Sequence, residues 1–244
     1  MRIDVVASAS EIRTEDVIHR SAVVIDVFRT TSTIVTALAQ GAICITPVET
    51  VPQAKQLGLE GMFLGGERFC KKIAGFDAGN SPLEYTKELV EGRKGIMTTT
   101  SGTRALIKAG KASYIFTAAF LNAKACAEVL TEVDLDIAIL CAGQQDRLTM
   151  EDALCAGMLI QYIKQSAVQP VRLNDLGLVV HQAYLGCESD LRDKLKESSE
   201  AKRLTKQGHE KDVDYCLTKN AFTIVPFMED HLLIPWKSQE QKLV

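Results

Sequence analysis

Ionisable and hydroxyl side chains follow an apolar run near the start of the chain. The run is Val23-Val24-Ile25, and after it come Asp26, Arg29 and the hydroxyl residues Thr30, Thr31, Ser32 and Thr33, which begin a helical pattern. Free N–H groups and the positive dipole end of such a helix favour phosphate or sulfonate, and hydroxyls can donate to the same anion. A purely structural interpretation also fits these residues: the hydroxyls cap the helix and Asp26 pairs with Arg29.

Similar groups follow three other apolar segments. Glu67 and Arg68 come after a glycine pair, the run Thr100, Ser101, Gly102, Thr103 and Arg104 precedes a helical pattern, and Glu151 and Asp152 open a long helix. Gly102 would permit a close approach of the backbone to a ligand, although an ordinary strand-to-helix turn explains it as well. Asp152 has a capping role with Thr149, whereas Glu151 has none. Asp77 and Asn80 lie in an irregular segment without a capping duty, and we predict that they contact substrate.

The elements that must position these groups are strands alternating with helices. This alternation predicts a layered α/β/α fold with a largely parallel or mixed sheet, in a single domain over residues 1–244 with a mostly helical subregion at 172–220. In such folds the ligand lies beyond the carboxyl ends of the strands, where the polar residues above should converge. Pro226 favours an edge or end position for the last strand, the tail after Asp230 should lie on the surface or dock loosely, and the charged stretch 190–200 predicts a solvated helix.

Composition narrows the class of protein. The 244 residues are 46% hydrophobic with a net charge of −3, which argues against nucleic-acid binding driven by bulk charge. The seven scattered cysteines are typical of reduced thiols in a cytoplasmic protein. No signal-peptide pattern opens the sequence and no apolar run suits a membrane helix. We expect a cytoplasmic protein with no membrane partner, and a homodimer from the prevalence of dimers among soluble enzymes.

The mixture of charged groups indicates the chemistry. Carboxylates beside arginines and hydroxyls suit a hard divalent cation, above all Mg²⁺, that bridges to a small anionic phosphorylated substrate. The four histidines form no zinc pattern and lie in helical or tail segments, which gives little support to a His-centred triad. A P-loop and a complete Gly-x-Gly-x-x-Gly are both absent from the sequence.

Several motifs in order resemble those of the 2-phosphosulfolactate phosphatase family across nearly the whole chain. They are Asp26-Val27-Phe28-Arg29-Thr30-Thr31-Ser32-Thr33, Gly66-Glu67-Arg68, Gly75-Phe76-Asp77-Ala78-Gly79-Asn80-Ser81-Pro82, Thr99-Thr100-Ser101-Gly102-Thr103-Arg104-Ala105, Cys141-Ala142-Gly143 and Glu151-Asp152. The closing Asp212-Val213 and Val225-Pro226 also resemble the C-terminal part of that family. Two departures are Ser101, where the family usually has Asn, and Phe69-Cys70, where a glycine-rich pair is common.

The resemblance implies a Mg²⁺-dependent phosphatase that hydrolyses 2-phospho-3-sulfolactate, a step of coenzyme M biosynthesis, or a related small phospho-acid. It implies catalytic roles for Asp26, Arg29, Glu67 and Arg68, and substrate contacts from Thr30 to Thr33, Asp77, Asn80 and Thr100 to Arg104. Arg29, Arg68 and Arg104 would balance the substrate's charge, while Asp26, Glu67, Glu151 and Asp152 would hold the metal.

Two alternatives remain open. Asp26 could instead form a phospho-aspartate, although Phe28 replaces the second Asp of the Asp-x-Asp motif on which that chemistry usually depends. A non-catalytic sensor of a small phosphorylated acid would also use anion-binding helix starts, but it would not need three carboxylates near them.

Overall fold

The computed structural model describes residues 1–237. Its strands are β1 (Arg2–Val6), β2 (Ser21–Ile25), β3 (Cys44–Pro47), β4 (Phe63–Arg68), β5 (Lys71–Lys72), β6 (Lys94–Thr98), β7 (Tyr114–Ala118), β8 (Ile137–Cys141), β9 (Arg172–Leu173), β10 (Pro226–Glu229) and β11 (Leu232–Pro235). Its helices are α1 (Thr14–Val17), α2 (Thr30–Ala39), α3 (Val51–Leu57), α4 (Lys87–Val90), α5 (Gly102–Lys108), α6 (Ala123–Val133), α7 (Met150–Ser166), α8 (Asp175–Cys187), α9 (Leu191–Lys196), α10 (Ser199–Lys206) and α11 (Glu210–Cys216). The layered α/β fold expected from the sequence is confirmed.

The central strand β2 explains the layering. All five of its residues are buried, as expected for a parallel strand that is covered on both faces. Val23 and Ile25 point into a hydrophobic cluster with α6, α7 and α8, whereas Ala22 and Val24 point into the opposite cluster with α2 and α5. This alternation is the period of two of a strand, and it places helices on both sides of the sheet.

The sheet is mixed and consists of two parallel blocks. Its order within the described residues is β5-β4-β6-β3-β11-β10-β7-β2-β8-β1-β9. Strands β4, β6 and β3 are mutually parallel, and so are β7, β2, β8, β1 and β9. The antiparallel hairpin of β10 and β11 connects the blocks through the pairs Phe227–Phe116 and Leu233–Ile45.

This hairpin bears on two sequence expectations. Of the two positions that Pro226 favours, edge or strand end, the structure shows the end: Pro226 is the first residue of the interior strand β10 and lies beyond the pairing with β7. The segment after Asp230 is not a loosely attached tail up to residue 237, since Leu233 is fully buried between the two blocks. The remainder of the predicted tail, residues 238–244, lies outside the described residues.

The helices from α8 to α11 pack on the cluster that also covers β2. The stretch 190–200 is not one solvated helix, since it divides into α9 and the start of α10 and buries Leu191 and Leu195. Among the described residues, no helix has the length and apolarity needed to cross a lipid bilayer.

Candidate active site

A polar cavity opens beyond the ends of β2, β4 and β6. Its volume of about 280 Å³ suits a small ligand. The lining residues are Asp26, Phe28, Arg29, Thr30, Glu67, Phe69, Cys70, Asn80, Thr100, Ser101, Gln144, Gln145, Arg203 and Gln207. Seven of the residues proposed from the sequence therefore meet in one place: Asp26, Arg29, Thr30, Glu67, Asn80, Thr100 and Ser101.

The start of α2 holds Asp26 in the cavity wall. The backbone N–H of Thr30 donates to Asp26 Oδ1 at 3.2 Å, and the hydroxyl of Thr31 donates to the Asp26 carbonyl at 2.9 Å. Gly102 approaches the same carboxylate so closely that a Cβ there would lie 2.5 Å from Asp26 Oδ2. The backbone of Gly102 therefore does approach other groups closely, and these are the side chains of Asp26 and Thr30.

Hydrogen-bond donors in the loops after β4 and β6 hold the Glu67 carboxylate in place. Its Oε1 accepts from both the backbone N–H of Thr100, at 2.9 Å, and the Thr100 hydroxyl, at 2.8 Å, and its Oε2 accepts from the Cys70 N–H at 2.7 Å. These three hydrogen bonds fix the orientation of the carboxylate.

Arg29 is held by a buried ion pair. Its Nη1 lies 2.5 Å from Asp212 Oδ2 of α11, and the Ser81 hydroxyl donates to Asp212 Oδ1 at 2.6 Å. The side chains of Arg29 and Asp212 are only 3% and 4% exposed. Because Arg29 also lines the cavity, this pair connects the C-terminal helices to the site.

Glu151 and Asp152 are buried at the start of α7 and do not line the cavity. Asp152 accepts from the Val27 N–H at 2.8 Å and from the Gly143 N–H at 3.1 Å, so it ties the segment after β2 to the segment after β8. Glu151 differs, because its Oε2 is buried without a hydrogen-bond partner.

Burial and mutual repulsion raise the pKa values of Asp26, Glu151 and Asp152. Loss of solvation raises the pKa of Asp26 to about 6, with a further contribution from the charge of Glu67. Burial, followed by the charges of Glu200 and Asp26, raises the pKa of Glu151 to about 7. The pKa of Asp152 is also raised by burial and by its acidic neighbours. Strongly perturbed carboxyl groups at a cavity are typical of functional sites.

The remaining hydroxyl candidates make internal contacts. Ser32 donates to the Val27 carbonyl, Thr33 to the Asn80 carbonyl and Thr103 to the Thr99 carbonyl. With Thr31 they are fully buried and do not line the cavity, so they hold the backbone around Asp26 and Asn80 rather than reach into it.

Three charged candidates also turn away. Arg68 donates to the carbonyls of Glu67 and Glu49, and Asp77 accepts from the Leu64 N–H at 2.7 Å. Arg104 pairs with Asp146 at 3.3 Å with 44% of its side chain exposed. All three have backbone or surface partners, and none of them lines the cavity.

Sequence reasoning missed several cavity residues. Gln144 and Gln145 come shortly after β8, beyond Ala142 and Gly143, so their position after a central strand could have indicated them. Arg203 and Gln207 come from α10 and its end, just after the stretch 190–200 that the charge pattern assigned to solvent. Local sequence gives no signal for them, because only the packing of α10 on the sheet brings them to the site.

The carboxylates form no complete metal cage. Among residues 1–237, no three His, Cys, Asp or Glu side chains are arranged to coordinate one ion directly. Mg²⁺ is usually bound through one or two carboxylates, with water and substrate oxygens completing its shell. The unpartnered Glu151 Oε2, beside the negative field of Asp26, has the donor chemistry for such a cation.

We expect the stability of the chelator-treated protein to depend on pH through Glu151. Its pKa is raised from 4.5 to about 7 in the folded state, so the folded state binds more protons between these values and loses stability as pH rises through them. Between pH 5.5 and 8, Glu151→Gln should gain about 2 kcal/mol of unfolding free energy relative to the native protein. Urea unfolding at both pH values measures this, and a difference that does not change with pH would contradict the electrostatic account.

These features define an α/β protein with carboxylates, a buried arginine and hydroxyls in one cavity at the ends of its strands. The family model described as 2-phosphosulpholactate phosphatase matches residues 6–231, and the chain belongs to this family.

Similar curated proteins carry the name of the same phosphatase. A "Probable 2-phosphosulfolactate phosphatase" of Symbiobacterium thermophilum is 39% identical over 225 residues, covering 90% of this chain and 96% of the relative. Proteins of the same name from Thermotoga petrophila and Caldicellulosiruptor saccharolyticus are 42% and 44% identical, covering 88% and 85% of this chain and 92% and 88% of those relatives.

Proposed function

We propose that this protein hydrolyses the phosphate ester of 2-phospho-3-sulfolactate, or of a closely related small phospho-acid, with Mg²⁺ as cofactor. The observation that carries the proposal is the family match over residues 6–231, whose motif residues Asp26, Arg29 and Glu67 line one cavity. The expected role in coenzyme M biosynthesis is part of the proposal, as is a cytoplasmic location.

Asp26, Glu67 and Glu151 are the groups that would hold Mg²⁺, directly or through water. Asp26 is within electrostatic range of both glutamates. Asp152, both of whose oxygens accept backbone N–H bonds, would instead position the backbone around them. When bound, the ion neutralises phosphoryl oxygens and orients the reacting groups.

The chain's own groups orient and polarise the ester. Arg29 offers a guanidinium to the phosphoryl oxygens, and Thr30 and Ser101 offer hydroxyls from the same wall. A water attacks phosphorus in line with the ester oxygen, and the bond between phosphorus and that oxygen breaks. The ester oxygen leaves with the bonding electron pair and takes a proton from solvent, which gives the hydroxyl of the product. The water's proton passes to Asp26 Oδ2, because burial raises the pKa of Asp26 to about 6 and makes this carboxylate a good proton acceptor.

Phosphate release separates this enzyme from the sensor alternative. Chelation with EDTA should lower the rate of phosphate release from 2-phospho-3-sulfolactate by at least about 100-fold, and added Mg²⁺ should restore it. Asp26→Asn serves as the control for contaminating phosphatase. Binding of the compound without phosphate release, with Mg²⁺ present, would favour the sensor.

The mode of attack has its own measurement. We favour direct attack by water, so rapid acid quench during turnover should yield no phosphorylated protein. A phosphoryl group mapped to Asp26 by mass spectrometry would instead show the covalent route.

A further inference from the structure

Arg203 reaches the cavity from α10, outside every motif that the sequence singled out. It lines the cavity together with Gln207, one helical turn further along, and with Cys70 from the loop after β4. Its side chain is 33% exposed, so it is half-buried and open to a ligand.

The cavity needs a second cation. Among the described residues, Arg29 and Arg203 are the only arginine or lysine residues in the lining, because Arg68 and Arg104 face other partners. Each of the two guanidinium groups also pairs with one carboxylate, Arg29 with Asp212 and Arg203 with Glu200, whereas a substrate with phosphate, carboxylate and sulfonate carries several negative charges. The lining carboxylates Asp26 and Glu67 add to the repulsion that bound cations must offset.

Glu200 fixes the orientation of the Arg203 guanidinium. Nε of Arg203 lies 3.1 and 3.0 Å from the two Glu200 oxygens, and Nη2 lies 2.5 Å from Oε2. Glu200 itself is only 12% exposed. These contacts occupy one edge of the planar group, whose other donors lie on the side of the Cys70 thiol, another lining residue.

We propose that Arg203 binds the acid group of the substrate that is not the phosphate, either the carboxylate or the sulfonate, and so determines specificity for a doubly acidic phosphate ester. This inference rests on the proposed function. The wall formed by Arg29, Thr30 and Asp26 serves the phosphoryl group, and Arg203 lies on a separate element. A guanidinium suits both acid groups because it offers two parallel donors and is weakly hydrated. The amide of Gln207 adds a neutral donor beside it.

Calorimetric binding of 3-sulfolactate and of inorganic phosphate, with Mg²⁺ present, tests this assignment without turnover. Arg203→Gln should weaken 3-sulfolactate binding by about 10- to 100-fold, which is the usual effect of losing a charged hydrogen bond, and should leave phosphate binding within about threefold. Arg203→Lys retains the charge and should lose less. Lys202→Gln on the same helix, whose side chain is 55% exposed and paired with Glu197, is the matched control and should bind as the native protein does.

Kinetics on two substrates identify the acid group. If Arg203→Gln lowers kcat/KM for 2-phospho-3-sulfolactate but not for 2-phospholactate, which lacks the sulfonate, then Arg203 binds the sulfonate. An equal loss on both substrates, with phosphate binding intact, assigns it to the carboxylate.

The inference and the proposed function can fail separately. Unchanged 3-sulfolactate binding in Arg203→Gln, or an equal loss of phosphate binding, would overturn the role of Arg203 even if the native protein is a phosphatase. Conversely, Arg203-dependent binding of 3-sulfolactate by a native protein that releases no phosphate would support Arg203 and reject the enzyme. If Arg203→Gln does not fold, Arg203→Lys takes its place. A loss of 3-sulfolactate affinity that exceeds its loss of phosphate affinity supports the role of Arg203, and equal affinities to those of the native protein reject it.

Discussion

Asp26→Asn should lower kcat/KM for 2-phospho-3-sulfolactate by about 10³-fold or more, without unfolding the protein. The substitution retains the shape of the side chain, and an Asn oxygen can still accept from the Thr30 N–H. It removes the proton acceptor and a proposed metal-binding charge, and general-base catalysis alone contributes about 10²- to 10⁴-fold. Initial rates of phosphate release measure the effect.

Stability shows whether Asp26 acts in the chemistry or only in the fold. The native carboxylate is buried beside other carboxylates and has a raised pKa, so its removal should leave the thermal midpoint of the chelator-treated protein at pH 8 unchanged or higher. Asp214→Asn, at a site that is 39% exposed and paired with Arg192 and Lys196, is the control and should retain native activity. Near-native turnover by Asp26→Asn would remove Asp26 from the mechanism.

Asp212→Asn should destabilise the protein by about 3 kcal/mol and also reduce activity by about 100-fold. Removing one partner of a buried ion pair leaves the other charge uncompensated, at a typical loss of about 3–5 kcal/mol, of which Asn recovers part by accepting a hydrogen bond. Arg29 is that other charge, and its side chain is 3% exposed at the cavity. Urea unfolding gives the stability, and kcat/KM reports the displacement of Arg29.

Asp214→Asn is again the matched control, because it lies on the same helix and forms only exposed ion pairs. We expect it to change the unfolding free energy by less than about 0.5 kcal/mol. If Asp212→Asn loses no more unfolding free energy than this control, the ion pair with Arg29 does not hold the C-terminal helices on the site.

The parts of the site that follow from local sequence could be predicted. Asp26, Arg29 and Thr30 come from one strand-to-helix junction, where the end of a buried strand and the start of a helix fix their neighbourhood. The same logic placed Glu67, Thr100 and Ser101 after strands, and these residues do line the cavity. It could not tell which hydroxyls face outward, because helical rotation turns Thr31, Ser32 and Thr33 into the protein.

Local sequence patterns could not predict the order in which the strands pair between these junctions. The expectation of one shared edge assumed neighbouring parallel strands, but three antiparallel pairings separate β3 from β7. The two blocks meet at the site nonetheless, as the 3.1 Å contact between the hydroxyls of Thr30 and Thr99 demonstrates. The pairing of β10 and β11 depends on contacts between distant segments, which a proline rule for single strands does not capture.

The same reason hid Glu200 and Arg203. The stretch 190–200 reads as a charged surface, and only the burial of Leu204 and Val213 against the central cluster turns one face of this region to the cavity. Residues brought in by such packing carry no motif of their own. The resemblance included Asp212-Val213, but it gave no indication that Asp212 pairs with Arg29.

The most direct test of the central claim is a crystal structure of the protein grown with Mg²⁺ and 3-sulfolactate. We predict density for the ligand in the cavity between Asp26, Arg29 and Arg203, with the cation beside Asp26. Ligand bound only elsewhere, for example in the groove of Phe227, Ile234 and Trp236, would contradict the assignment of this cavity as the active site.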